Sequence, residues 1–354
     1  MYCISHIFLP LLINRKYNTF LLIFSLFFDF ILISHRFLRI LSSLYHFIIM
    51  MARLSIFLIM LFAFSCNDGK EPDRVHSAYY WTTTFRMSEK KTRFLNNNDI
   101  RRLYVRFFDV VLTEQQGAMP NATIEFIDTI PQGLEIVPTV FVMNECMAVK
   151  QDALPGKIVE RVIKMCQAHD IHGVRELQID CDWTARTEQN YFRFLNEVRT
   201  LLREKGMSLS VTIRLHQLSM KTPPADRGIL MVYNTGDVTD PECHNPILNV
   251  KDVRPYLSHA RDYELELSAA YPVFSWNVLF RGKHFVGIQH FEGEYPTMSG
   301  DTLVNYRPEP EEILQVKREL MEKLPDANRE IILYDLSDKN LENYSQNDFH
   351  YFYE

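Results

Sequence analysis

Two alternating segments flanking one helix constrain the fold more than any other feature of this chain. From Glu176 to Thr184, Leu177, Ile179, Cys181 and Trp183 fall on one face, and Gln178, Asp180, Asp182 and Thr184 on the other. From Leu209 to His216, Leu209, Val211, Ile213 and Leu215 oppose Ser210, Thr212, Arg214 and His216. A period of two is that of a β-strand. Between them, Tyr191, Phe194, Leu195, Val198, Leu201 and Leu202 recur at helical spacing over Thr187–Lys205, with Thr187 as N-cap and Gly206 as stop. Each strand of this β-α-β unit offers an apolar face to helices and turns a charged face elsewhere. Charges buried there must pair, hydrogen-bond or meet a ligand.

Six further strands are expected: His76–Phe85, Leu103–Val111, Ile136–Met143, Gly228–Asn234, Leu265–Ser275 and Glu330–Leu336. Helical patterns cover Ser88–Leu95, Lys157–His169, Val253–Tyr263 and Pro310–Leu324, and Val278–Val286 reads as a hairpin about Arg281-Gly282-Lys283. Eight strands alternating with helices or loops over residues 76–354 predict a single α/β domain, a (β/α)8 TIM barrel. Its charged strand faces would meet at the C-terminal mouth. The stretch from Gly287 to Glu309 is expected to be irregular, a binding loop or partial lid.

The first 66 residues read as targeting. Met51-Ala52-Arg53 is a short basic start, and Leu54–Ser65 is an apolar run of signal-peptide length. Ala63-Phe64-Ser65-Cys66 is similar to a bacterial lipoprotein signal, which implies lipidation at Cys66, a tether over residues 67–75 and a lipid anchor in the cell envelope, periplasm-facing or at the cell surface. Residues 1–50 read as translation begun upstream of the real start at Met50 or Met51; a transmembrane anchor in Phe20–Ser34 is the competing account. Residues 67–354 hold 33 basic and 43 acidic residues, a balance that argues against a nucleic-acid partner. Cys146, Cys166, Cys181 and Cys243 show no ligand spacing, so no zinc site or cofactor is expected. No nucleophile elbow, P-loop, dinucleotide glycine motif or HExxH is present.

From Tyr79 to Tyr351 the chain resembles a family of TIM-barrel lipoproteins from Bacteroidetes-type bacteria, related to the domain of unknown function numbered 3142. The matching pieces are Leu103-Tyr-Val-Arg-Phe-Phe-Asp109, Gln178-Ile-Asp-Cys-Asp-Trp-Thr184, Thr212-Ile-Arg-Leu-His-Gln217, and Pro223-Pro-Ala-Asp-Arg-Gly228 through Tyr233-Asn234. More distantly, the fourth strand is similar to that of chitinase-type glycosidases of family 18, where alternating acids end in a glutamate proton donor. Asp180 and Asp182 match the first two acids, and Thr184 stands where the donor should be.

Asp180 and Asp182, about 7 Å apart along one strand face, suit cooperating carboxylates of the kind glycosidases use. The bland alternative holds both in place through Arg214, Arg106 or backbone amides. Arg214 and His216 would orient a carboxylate or move a proton, or merely form an internal ion pair. Glu145, Asp109 and Asp335 are candidates for the missing donor, each more readily an exposed loop acid. Tyr80, Trp81, Tyr233, Asn234, Tyr271 and Trp276 fall near strand ends, where aromatic rings stack on sugars. Trp183 is assigned to the core. The expected function is carbohydrate hydrolysis at the barrel mouth; the alternative is a carbohydrate-binding protein on a degenerate barrel. A magnesium or calcium site on the paired aspartates is the weakest option, with only two clustered carboxylates.

Overall fold

The computed structural model describes residues 39, 42–53, 55 and 74–354, apart from 116, 259, 261, 262 and 297. Cys66, the Phe20–Ser34 run and residues 67–73 of the expected tether lie outside these residues, as does the Leu54–Ser65 run except for Ser55, while Val75, expected in the tether, opens the first strand. The chain divides into two compact units, Met1–Lys70 and Glu71–Glu354. In the first, residues 42–53 are helical. Among the described residues no helix is long and apolar enough to cross a membrane.

The second unit is built on eight parallel strands: β1 Val75–Tyr80, β2 Arg102–Thr113, β3 Glu135–Val142, β4 Glu176–Asp180, β5 Ser208–Arg214, β6 Arg227–Met231, β7 Leu267–Pro272 and β8 Glu330–Tyr334. Each pairs with its neighbours in sequence, and β1 also pairs with β8, which closes the barrel. All eight expected strands are present, so the fold class stands. Their helices are α1 Glu89–Asn97, α2 Leu154–Ala168, α3 Glu188–Arg203, α4 Val250–Leu257, α5 Pro310–Lys323 and α6 Gln346–Tyr353.

Two connections depart from the strand–helix rule. An antiparallel strand, Gly117–Asn121, follows β2, with Pro120 tolerated because the strand lies at a sheet edge. A single 3-10 turn, Leu215–Ser219, leads from β5 toward β6. The predicted hairpin forms as Trp276–Arg281 and His284–Gln289. A third strand, Asp301–Tyr306, pairs with its first arm, so the segment from Gly287 to Glu309 is partly ordered rather than one irregular loop. α3 buries Tyr191, Phe194, Leu195, Val198 and Leu202 as its spacing requires. Thr187 makes no side-chain cap bond on α3; its hydroxyl donates instead to Asn144 Oδ1 at 2.6 Å, tying the β3 and β4 loops together.

Alternation along the strands sorts their side chains into two cores. An outer core packs strands against helices and holds Leu177, Ile179, Cys181, Trp183, Leu209, Val211 and Ile213. Trp183 is fully buried there, stacked on Tyr191 at 5.9 Å between ring centroids. An inner core of Tyr79, Tyr104, Val137, Ile229, Met231, Ala270 and Ile332 fills the barrel.

Below it, the strand starts bring an ionic network together. Glu330 Oε1 accepts from Ser77 Oγ at 2.6 Å, Tyr104 OH at 3.0 Å and Arg102 Nη1 at 3.1 Å, and Oε2 accepts from Arg227 Nη1 at 2.7 Å. Arg227 also holds Glu176, at 3.1 Å. Burial works against the Glu330 charge, but Arg227 and Arg102 outweigh it and lower its pKa. The sequence pair Asp226-Arg227 is therefore not a local ion pair. Asp226 takes Arg199 at 2.6 Å and the Leu209 amide at 2.9 Å, while Arg227 turns into the barrel.

Candidate functional site

The charged ends of β4 and β5 meet at the C-terminal mouth. Asp180 is the last residue of β4 and Arg214 the last of β5. Thr212 Oγ1 donates to Asp180 Oδ1 at 2.6 Å. Arg214 then spans both acids: Nη2 donates to Asp180 Oδ1 at 3.1 Å, and Nε donates to Asp182 Oδ1. The two carboxylates differ in environment. The Asp180 side chain is 5% exposed and that of Asp182 is 55% exposed. Burial raises the Asp180 pKa despite the neighbouring Arg214. Burial likewise opposes the Arg214 charge, yet Asp180, Tyr233 and Asp182 together raise its pKa.

Aromatic rings rise from the inner core to the rim. Tyr334 lies 5.3 Å from Tyr79, 5.6 Å from Trp81 and 5.0 Å from Tyr233, between ring centroids. Phe274 continues the cluster to Trp276 at 5.5 Å. Arg106 is held by Asp109, with Nε to Oδ1 at 2.7 Å, and covers the Trp81 ring at 5.5 Å. It therefore pairs with Asp109 rather than with Asp180 or Asp182. Beneath the acids, Gln178 Oε1 accepts from Tyr79 OH at 2.8 Å and Thr139 Oγ1 at 3.2 Å, while its Nε2 is buried without a partner.

Other expected site residues fall elsewhere. Tyr80 is fully buried in the outer core; its hydroxyl bonds Thr84 O and Arg86 O and accepts from Lys91 Nζ. Tyr271 is also fully buried there, bonded to Asn328 Oδ1 at 2.7 Å. Both lie one step out of phase with the inner face, so neither is placed to stack on a ligand in the mouth. β5 stops at Arg214, so its alternation does not carry to His216, which is exposed on the 3-10 turn. Glu145 is exposed on the 3-10 turn Asn144–Ala148 after β3. Asn234 is exposed, in a left-handed conformation (φ 57°), with its amide bonded to Ile247 O. Thr184 turns into the start of α3, its amide accepted by Thr187 Oγ1 at 2.9 Å.

Asp335 follows Tyr334 through a cis peptide bond. Its Oδ1 accepts from Asn340 Nδ2 at 2.5 Å, and burial pushes its pKa up to about 6. An acid whose folded pKa lies above its unfolded value near 3.9 takes up protons on folding, so its contribution weakens as pH rises from about 4 through 6. Asp335→Asn is therefore expected to stabilise the protein by about 1–2 kcal/mol at pH 7, with no gain at pH 4. Denaturant midpoints at the two pH values check this, and an equal shift at both would contradict it.

Thr212 and Tyr334 join the site without having been singled out for it. Strand phase was the available signal: Thr212 is in step with Arg214, and Tyr334 with Ile332 and Glu330.

No protein-family model matches the sequence, and no curated protein is significantly similar to it. Solved structures do share the barrel. The spore cortex-lytic enzyme SleL of Bacillus cereus is 13% identical with a TM-score of 0.51, over 79% of this chain and 73% of that one. A chitinase from Bacteroides thetaiotaomicron is 11% identical with a TM-score of 0.52, over 79% and 96%. The GH18 chitinase from the chitin utilization locus of Flavobacterium johnsoniae is 10% identical with a TM-score of 0.50, over 80% and 94%. At these identities the likeness is one of fold.

Proposed function

We propose that this protein acts on carbohydrate at the mouth of its barrel, hydrolysing a glycosidic bond with Asp180 and Asp182 as the central carboxylates. One observation carries the reading: two acids of unlike burial, bridged by Arg214, stand at the C-terminal end of a barrel whose rim is aromatic. The fold shared with chitinases supports it. Asp182 is the solvent-facing group and the one to meet substrate. Asp180, whose pKa is raised by burial, stands beside it. Arg214 fixes the orientation of both.

A second reading has its own support. Thr184 replaces the third acid, and its backbone is committed to the first turn of α3. A barrel without that donor would bind glycans and not cleave them. Full-length protein screened against a glycan panel, for binding and for release of reducing ends, separates the two. Under the hydrolase reading Asp182→Asn lowers kcat/KM at least about 10²-fold. Binding without release in the unaltered protein would sink the hydrolase and leave the binder; no binding to any glycan would end both.

A further inference from the structure

The charge balance of the mouth bears on which saccharides fit it, and the inference deepens the carbohydrate reading on which it rests. Three carboxylates, Asp109, Asp180 and Asp182, face two guanidiniums, Arg106 and Arg214. Both guanidiniums are already committed. Arg106 is closed onto Asp109 and lies over Trp81. Arg214 is shared between Asp180 and Asp182, and its remaining nitrogen, Nη1, is buried from solvent without a partner. An incoming anion at the mouth therefore finds both guanidiniums already paired with carboxylates. Arg186, exposed on the loop after β4, lines a depression with Asn144, Ala148, Thr184 and Thr187. Asp182 is different. Arg214 engages its Oδ1, while the side chain stays 55% exposed. The rings of Tyr233, Phe274 and Trp276 stand on the same rim, and aromatic faces attract cations.

We propose that the mouth prefers saccharides bearing a free amine, seating the ammonium against Asp182 beside the Tyr233–Phe274–Trp276 rim, over neutral and anionic sugars. The preference comes from a half-exposed ion pair, so it is modest and screened by salt.

The test is calorimetric titration of the full-length protein with three tetrasaccharides of matched length: glucosamine, N-acetylglucosamine and galacturonate, at a pH where the amine is protonated. The glucosamine oligomer is expected to bind about five-fold or more tighter than its acetylated counterpart in low salt. The gap should close in high salt, the galacturonate oligomer should bind more weakly than either, and Asp182→Asn should erase the difference between the first two. Tighter or equal binding of the acetylated or uronate oligomer overturns the charge preference and leaves the carbohydrate reading standing. A preference that survives Asp182→Asn overturns the assignment to that residue. Failure of all three to bind overturns the preference, and the glycan panel then decides whether the carbohydrate reading falls with it.

Discussion

Arg227→Met is expected to lower the unfolding free energy of the barrel by about 3–5 kcal/mol at pH 7. The methionine keeps much of the side chain's length and removes its charge. Glu176 then loses the only cation bonded to it among the described residues, and Glu330 keeps Arg102 alone. Both carboxylates are buried, so each carries an uncompensated desolvation cost. The pH dependence identifies the cause. In the unaltered protein the Glu330 carboxyl is held below its usual range, so it contributes stability above its unfolded pKa that is lost as pH falls through the folded value. Without Arg227, burial acts on Glu330 with less opposition. The deficit should then be greatest at neutral pH and shrink as pH falls and Glu330 protonates. Denaturant midpoints across pH, with unchanged slopes, measure this. A deficit below about 1 kcal/mol, or one independent of pH, would show that the network contributes little beyond packing.

That network also marks where sequence reading stopped. The eight strands were legible because each carries a run of β-branched or aromatic residues between turn signals, and the βαβ phase was unmistakable in β4 and β5. The same phase contained the floor of the barrel. Arg227, Glu176 and Glu330 stand at strand starts and in step with inner-face residues, but a charged residue at a predicted boundary reads equally well as loop. Asp226 lies beside Arg227 in the chain, but adjacency in sequence says nothing about which way each side chain turns. Proximity to a strand end likewise misled at Tyr80 and Tyr271. Tyr79, one residue earlier, is the inward ring. His216 followed from extending alternation past the point where β5 becomes a 3-10 turn. Asp180, Asp182 and Arg214 do meet, because their phase, their position and their charge all agree.

The Arg214→Met variant asks whether those three residues are held together for stability or for chemistry. Its loss leaves Asp180 with Thr212 as its only side-chain hydrogen-bond donor among the described residues and puts two neighbouring carboxylates at the end of β4 with no cation between them. The expected cost is about 3 kcal/mol at pH 7. The sign with pH follows from the direction of the Asp180 shift. Its pKa is already raised by burial with Arg214 present, and removing the guanidinium raises it further. A raised acid pKa means that the folded state binds the extra proton, so the variant should regain stability as pH falls toward 5 and lose it as pH rises. Adding Asp180→Asn removes the buried charge, and the double variant is expected to recover most of the loss, a coupling that a double-mutant cycle reads directly. Function should not recover with it. Asp182 still lacks the Nε–H that orients it, so the stable double variant is expected to remain at least about 10²-fold impaired in glycan turnover. If the double variant regains both stability and turnover, Arg214 serves the fold alone, and the positioning role assigned to it is wrong.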